Sequence, residues 1–177
     1  MSEHLTLGAI RDLACRFVPA EAADSRLYEY GYRSWWPAHE IGHFLVATPR
    51  ECHQPQFGID GYVTIDSQSY RYAITREIAA MSISQRLLRR AGHSSLADEE
   101  IEYTDENTLA DTFEPWCRRA VRRLLRANSV ARLPRTRKRL EGLLTRKACE
   151  AGTAIRSVRH LTRAPPRKDP WIHGSTQ

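Results

Sequence analysis

Cysteine is scarce in this sequence and long apolar runs are missing. The four cysteines, Cys15, Cys52, Cys117 and Cys149, are widely spaced and form no CxxC pair, which argues against a disulfide scaffold and against a zinc ribbon. An apolar run such as Phe44 to Ala47 is far shorter than the roughly 20 residues of a membrane-spanning helix. The start of the chain lacks the basic stretch and apolar core of a secretory signal, so we expect a cytoplasmic protein with free thiols and no membrane partner.

Acidic residues are nearly absent from the last third of the chain. Residues 1–117 hold 10 basic and 18 acidic side chains, a net charge of −8, whereas residues 118–177 hold 17 basic and 3 acidic ones, a net charge of +14. The overall charge of +6 hides this asymmetry. It indicates either a basic tail that packs on an acidic body, or a tail that meets nucleic acid or an acidic partner.

Apolar residues recur at helical spacing over most of the chain. Gly92 and the prolines mark where helices begin and end. The predicted helices are Leu5 to Val18, about Pro37 to Ala47, Tyr70 to Ala91, one that restarts at Glu114-Pro115, and one from about Pro134 onward.

Two other segments complete the predicted organisation. Residues Gly58 to Asp66 alternate in the manner of a short strand, and the run Asp98 to Glu106 is predicted to be an acidic loop. The expected fold class is therefore α+β and mainly helical. We expect residues 1–110 to form a zincin-like metallopeptidase core with a small β element, and residues 111–177 to form a basic helical C-terminal extension that packs on the core.

The motif His39-Glu40-Ile41-Gly42-His43 lies in the second predicted helix. Residues four apart share one face of a helix, so both imidazoles can reach one metal ion. Glu40 is rotated by about 100° from His39, which leaves its carboxylate free to act as a base toward the attacking water. A glycine in mid-helix costs about 1 kcal/mol relative to alanine, so Gly42 indicates close packing against another element. The alternative is two surface histidines that flank an ordinary glutamate.

A catalytic zinc site needs a third protein ligand and an open position. On the predicted helix Tyr70 to Ala91, Glu77 falls in the middle of the apolar arc, while the arginines occupy the outer arc. An ionised glutamate is rarely buried without a partner, and a metal ion is such a partner. The alternative is a buried Glu77 paired with an arginine or a tyrosine hydroxyl. Competing candidates for the third ligand are His53 and Asp60. A Cys52 thiolate could fill the open position of the metal and so keep the enzyme latent.

Three segments within residues 30 to 92 carry a family resemblance. They are Ala38-His39-Glu40-Ile41-Gly42-His43-Phe44-Leu45, then Glu77-Ile78-Ala79-Ala80, and then Leu87-Leu88. This pattern resembles the ImmA/IrrE family of small bacterial and phage zinc metallopeptidases, in which an AHELGH-type helix precedes a helix with a Glu ligand and an alanine-rich stretch. The resemblance implies a gluzincin-like protease in which His39, His43 and Glu77 bind Zn²⁺ and Glu40 is the general base. It also implies a helix-turn-helix transcriptional repressor as substrate, whose cleavage derepresses stress, mobile-element or defence genes.

Basic residues at helical spacing dominate the segment after Glu114. They are Arg118, Arg119, Arg122, Arg123, Arg126, Arg135, Arg137, Lys138 and Arg139. One interpretation is neutralisation of phosphates on DNA or on single-stranded nucleic acid. The other is a solvated helix face that contacts the acidic segment 98–106. The interleaved aromatics are Trp116 and Trp171, which give weak support for stacking on single strands.

Other functions stay open at this point. The chain could be a nucleic-acid-binding regulator with a structural metal or none, or a SprT-like protease acting on DNA-bound proteins, which would need a third histidine in place of Glu77. In a protease, the donor that stabilises the oxyanion would come from candidates such as Tyr62, Tyr70 and Tyr72.

Overall fold

The computed structural model describes residues 4–18, 35–47, 67–103 and 106–150, with side chains throughout except at 67–70 and 106–109. These residues are mainly helical and contain no strand, which confirms the predicted helical character. The helices of this part of the chain are α1 (Leu7–Phe17), α2 (Trp36–Val46), α3 (Ser67–Arg90), α4 (Ser94–Tyr103), α5 (Glu106–Phe113), α6 (Pro115–Ala127) and α7 (Arg137–Glu150). The predicted strand, Gly58 to Asp66, lies outside the described residues.

Local sequence explains where the helices begin and end. The hydroxyl of Thr6 caps α1 by accepting a hydrogen bond from the backbone N–H of Ala9 at 3.1 Å, which satisfies one of the free donors of the first turn. Proline occupies the first turn of both α2 and α6, as predicted. After α3, Gly92 adopts a φ of 84°, and the N–H of His93 donates to the carbonyl of Leu88 at 2.9 Å. This is the Schellman end that a glycine favours.

The core forms around α2, which packs between α1 and α3. Almost every side chain of α2 is buried, including its polar ones, as expected for a helix with neighbours on more than one side. The long helix α3 also contacts α4, α5 and α6. Its predicted buried face is confirmed, with Ala73, Ile78, Ala80, Leu87 and Leu88 buried. No helix in the described ranges is both long and apolar enough to cross a membrane.

The acidic segment is helical, so the prediction of a loop from Asp98 to Glu106 was wrong. Residues 98–103 belong to α4, and α5 begins at Glu106. The reason is tertiary packing: Ala97 and Glu100 are buried on the side of α4 that faces the core, while Asp98 on the outer side pairs with Arg89 of α3 at 2.9 Å. Burial of one face outweighs the unfavourable clustering of like charges.

The C-terminal helices pack on the rest of the molecule. Helix α6 buries Cys117, Val121 and Leu125 and contacts α3. Helix α7 packs near α1, and Arg137 pairs with Asp12 across that junction at 3.3 Å. The first turn of α7 begins at Arg137, slightly after the predicted Pro134. The division of the chain at residue 110 stays a prediction.

Candidate metal centre

The candidate centre depends on an unusually close approach of α2 and α3. A Cβ atom placed on Gly42 would lie 2.4 Å from the carbonyl oxygen of Ala80 and 2.8 Å from its Cα atom. These are backbone atoms, which cannot move aside as a flexible side chain could. Only glycine fits at this position, so the predicted close packing of Gly42 is confirmed. One turn before Ala80, the same helix carries Glu77.

Three side chains from these two helices converge. Nε2 of His39 is 2.9 Å from Nε2 of His43. The Glu77 carboxylate contacts both rings, with Oε1 2.9 Å from Nε2 of His39 and Oε2 3.1 Å from Nε2 of His43. All three residues are buried. The partners of Glu77 are therefore the two histidines, rather than the arginine or tyrosine of the alternative interpretation.

These separations fit a small metal ion. Two donors of a tetrahedral zinc site, each about 2.0 Å from the metal, are about 3.3 Å apart. The observed 2.9 to 3.1 Å is within a few tenths of an ångström of that value. Two imidazole nitrogens and one carboxylate form a donor set that suits Zn²⁺.

Glu40 is buried at the same place, with 2% of its surface exposed. The potential ligand atoms of His39, Glu40 and His43 lie within 4.8 Å of one another, so this buried group could hold a metal ion. The two histidines are buried, which excludes the alternative interpretation of the motif as two surface histidines. A buried carboxylate one residue away from His39 is available either to a metal or to a water molecule beside it.

The electrostatics of His39 and Glu77 favour an ion pair between them. Burial disfavours the charged form of His39, but the carboxylates of Glu77 and Glu100 outweigh this and raise its pKa to about 10. Burial likewise favours protonation of Glu77, yet the two histidines hold its pKa well below the ordinary value. Near neutral pH, His39 therefore carries a proton that faces Glu77. A metal cation can take the place of that proton.

A further carboxylate completes the cluster, and it was not singled out from sequence. Glu100 of α4 has 1% of its surface exposed, and its Oε1 lies 2.8 Å from Nδ1 of His39. Burial raises the pKa of Glu100, against the lowering effect of its contact with His39. The available signal was the helical spacing of Leu96, Ala97 and Ile101, which places Glu100 on the apolar side of α4.

Aromatic rings close the side of the centre next to α4. Trp35, immediately before α2, packs edge-on against the His39 ring with centroids 5.8 Å apart. The Trp35 ring also packs against the ring of Tyr103, with centroids 5.7 Å apart. Trp35 is buried. The histidine is thus restrained by an indole and a carboxylate together.

The remaining candidates from sequence are His53, Asp60, Cys52, Tyr62, Tyr70 and Tyr72. His53, Asp60, Cys52 and Tyr62 lie outside the described residues, as does the side chain of Tyr70. Tyr72 is on the surface of α3 with 53% of its area exposed, and its ring packs against the guanidinium of Arg76 at 4.2 Å.

Comparison with known proteins returned no relative of this chain: no protein-family model, no curated protein and no solved structure matches it.

Proposed function

We propose that this protein is a zinc-dependent metalloendopeptidase with a zincin-like core. The observation that carries the proposal is the convergence of His39, His43 and Glu77 within about 3 Å of one another, next to the buried carboxylate of Glu40. In this proposal the first three residues hold the metal, and a position stays open for water or substrate. When bound, a zinc ion would polarise the scissile carbonyl and lower the pKa of a coordinated water to about 7.

Glu40 acts as the general base in this proposal. Its carboxylate takes a proton from the attacking water and passes it to the leaving amine. The position of Glu40 supports this, because it is buried beside both histidines while Glu77 already occupies the site between them. His39 and His43 would coordinate as neutral imidazoles, so that the metal keeps its strength as a Lewis acid.

The proposed substrate is a protein partner, a helix-turn-helix transcriptional repressor. The resemblance of residues 38–45 and of Glu77-Ile78-Ala79-Ala80 to ImmA/IrrE metallopeptidases supports this choice. Cleavage of such a repressor would derepress stress, mobile-element or defence genes. A SprT-like protease is the alternative within the same class, and a carboxylate rather than a third histidine at the position of Glu77 favours the first proposal.

Metal analysis combined with cleavage assays tests the proposal. The protein is purified as wild type, Glu40→Gln, Glu77→Ala and, as a matched control, Glu102→Gln, which changes an exposed glutamate of α4. We expect one zinc per chain in all but Glu77→Ala, and cleavage of a repressor by the wild type and the control only. Equal zinc in all four proteins would remove Glu77 as a ligand. Undiminished cleavage by Glu40→Gln would remove Glu40 as the base.

A further inference from the structure

A basic surface covers α6 and the start of α7. Residues 115–140 contain nine arginines, one lysine and no aspartate or glutamate. Five of these arginines are exposed on α6 itself and are called the arginine face: Arg118, Arg119, Arg122, Arg123 and Arg126. Exposed basic residues continue beyond the helix at Arg132, Arg135, Lys138 and Arg139.

Among the described residues, the arginine face contributes to the fold through hydrogen bonds to backbone carbonyls and not through ion pairs. Within the described ranges, no ion pair joins one of its members to a carboxylate; Arg118 and Arg122 donate instead to the backbone carbonyls of Phe113 and Arg118. The acidic helix α4 uses Asp98 to pair with Arg89 of α3. Unlike the arginine face, the arginines of α3 connect that helix to other parts of the chain. Arg90, for example, donates a hydrogen bond to the carbonyl of Pro134 at 3.0 Å.

Arginines four residues apart on one helix repel each other and destabilise it. Arg118, Arg122 and Arg126 form one such row, and Arg119 with Arg123 forms a second. The opposite face of α6 anchors the helix in the core through Cys117, Val121 and Leu125. The helix is thus held in place by its apolar side, while its charged side is free to meet a ligand that neutralises it.

The charge density of this face matches a duplex. From Arg118 to Arg126 the helix rises by about 12 Å, and five positive charges lie along it. Double-stranded DNA carries roughly seven phosphates over the same length of its axis. Guanidinium groups bind phosphates through two parallel hydrogen bonds, and nine of the ten basic residues between 115 and 140 are arginines.

The aromatic residues near this face argue against single strands as the ligand. Binding of single strands uses successive aromatic rings as stacking platforms. Trp116 is half-buried, and the guanidinium of Arg71 covers its ring at 5.2 Å. Phe113 is 72% exposed, but it is a single ring. Insertion into a membrane would require an exposed apolar side, and the apolar side of α6 is packed on α3.

We propose that the arginine face binds the phosphate backbone of double-stranded DNA without reading its sequence. Because the contacts are to phosphates, affinity falls steeply with salt, with a slope of about −0.9 in log affinity per log salt for each phosphate neutralised. Five contacts give a slope of about −4.5, which is about a 500-fold loss of affinity between 50 and 200 mM salt. The proposal is independent of the proposed protease activity.

Fluorescence anisotropy of the full chain with a labelled DNA duplex, over a salt series, tests this. The variant Arg119→Gln/Arg123→Gln removes two contacts and should reduce the steepness of the salt slope by about 1.8. The control Arg11→Gln/Arg146→Gln removes the same charge from exposed positions of α1 and α7 and should keep the wild-type slope. The variant Arg119→Lys/Arg123→Lys keeps the positive charge, so its salt slope should also be close to that of the wild type. Thermal unfolding checks that all variants fold.

Several results would overturn the proposal. One is no binding of the duplex at 50 mM salt, the low end of the series. Another is an equal slope for the Arg119→Gln/Arg123→Gln variant and its control, which would assign the binding to other basic residues, including those of 151–177. Tighter binding of the single strand, of polyglutamate or of anionic vesicles than of the duplex would assign the face to a different partner.

Discussion

Glu100 of α4 lies 2.8 Å from Nδ1 of His39, while Nε2 on the far side of the same ring contacts Glu77 of α3. The imidazole is therefore held between two carboxylates from different helices. A hydrogen bond from Nδ1–H to a carboxylate sets the tautomer and orientation of a histidine whose Nε2 binds a metal, and it makes that nitrogen a better ligand. In the proposed metal site, Glu100 would be a positioning residue.

Removing Glu100 should weaken metal binding. We expect Glu100→Ala to lower zinc affinity by about 10- to 100-fold, the usual effect of losing such a partner. The measurement is competition with a chelating dye at constant pH. Glu102→Ala, at an exposed position of the same helix, is the control and should bind zinc like the wild type. Equal affinities for the two variants would contradict the positioning role of Glu100.

Substitution of Gly42 should destabilise the protein. In Gly42→Ala the new methyl group meets the backbone of Ala80, and overpacking of this kind costs about 1 to 3 kcal/mol of unfolding free energy. The matched control is Gly142→Ala on α7, where nothing lies within 4 Å of the new Cβ. There the gain in helix propensity should stabilise by up to about 1 kcal/mol. Urea unfolding measures both, and a Gly42→Ala variant as stable as Gly142→Ala would show that α2 and α3 are not closely packed.

Zinc binding should release a proton. The pKa of His39 in the metal-free protein is about 10, so its imidazole is protonated at neutral pH and must lose that proton in order to coordinate. Below this pKa, affinity for zinc should rise about tenfold per pH unit for one proton released. Calorimetric titration in buffers of different ionisation enthalpy counts the proton. A zinc affinity that does not change between about pH 6.5 and 8 would show that zinc binding does not remove the proton of His39.

Zinc should stabilise the folded protein. At a free concentration of about 100 times its dissociation constant, a ligand specific to the folded state adds about 2.7 kcal/mol to the free energy of unfolding. The expected shift is present in wild type and in Glu40→Gln, and it is lost in Glu77→Ala. Urea unfolding with zinc and with a chelator measures it. A shift of the same size in Glu77→Ala would place the bound metal elsewhere in the chain.

The sequence alone determined the local features of the site. The period of the helix places His39 and His43 on one face of α2 and Glu77 on the apolar face of α3, because side-chain direction within a helix depends only on spacing. Gly42 in mid-helix indicated a close neighbour for the same local reason. These predictions needed no knowledge of how the helices pack.

Only the tertiary structure decided which residues meet. Glu100 is 61 residues from His39 along the chain, and its own segment has the composition of a loop, so no local pattern pairs the two. The packing of α4 on α3 buries Glu100, and a buried carboxylate requires a hydrogen-bonding or charged partner. The packing of α2 on α3 in turn brings Gly42 onto Ala80 and so brings Glu77 to both histidines. Periodicity determines which side of a helix is buried, whereas the partner across the interface depends on the fit of whole helices against one another.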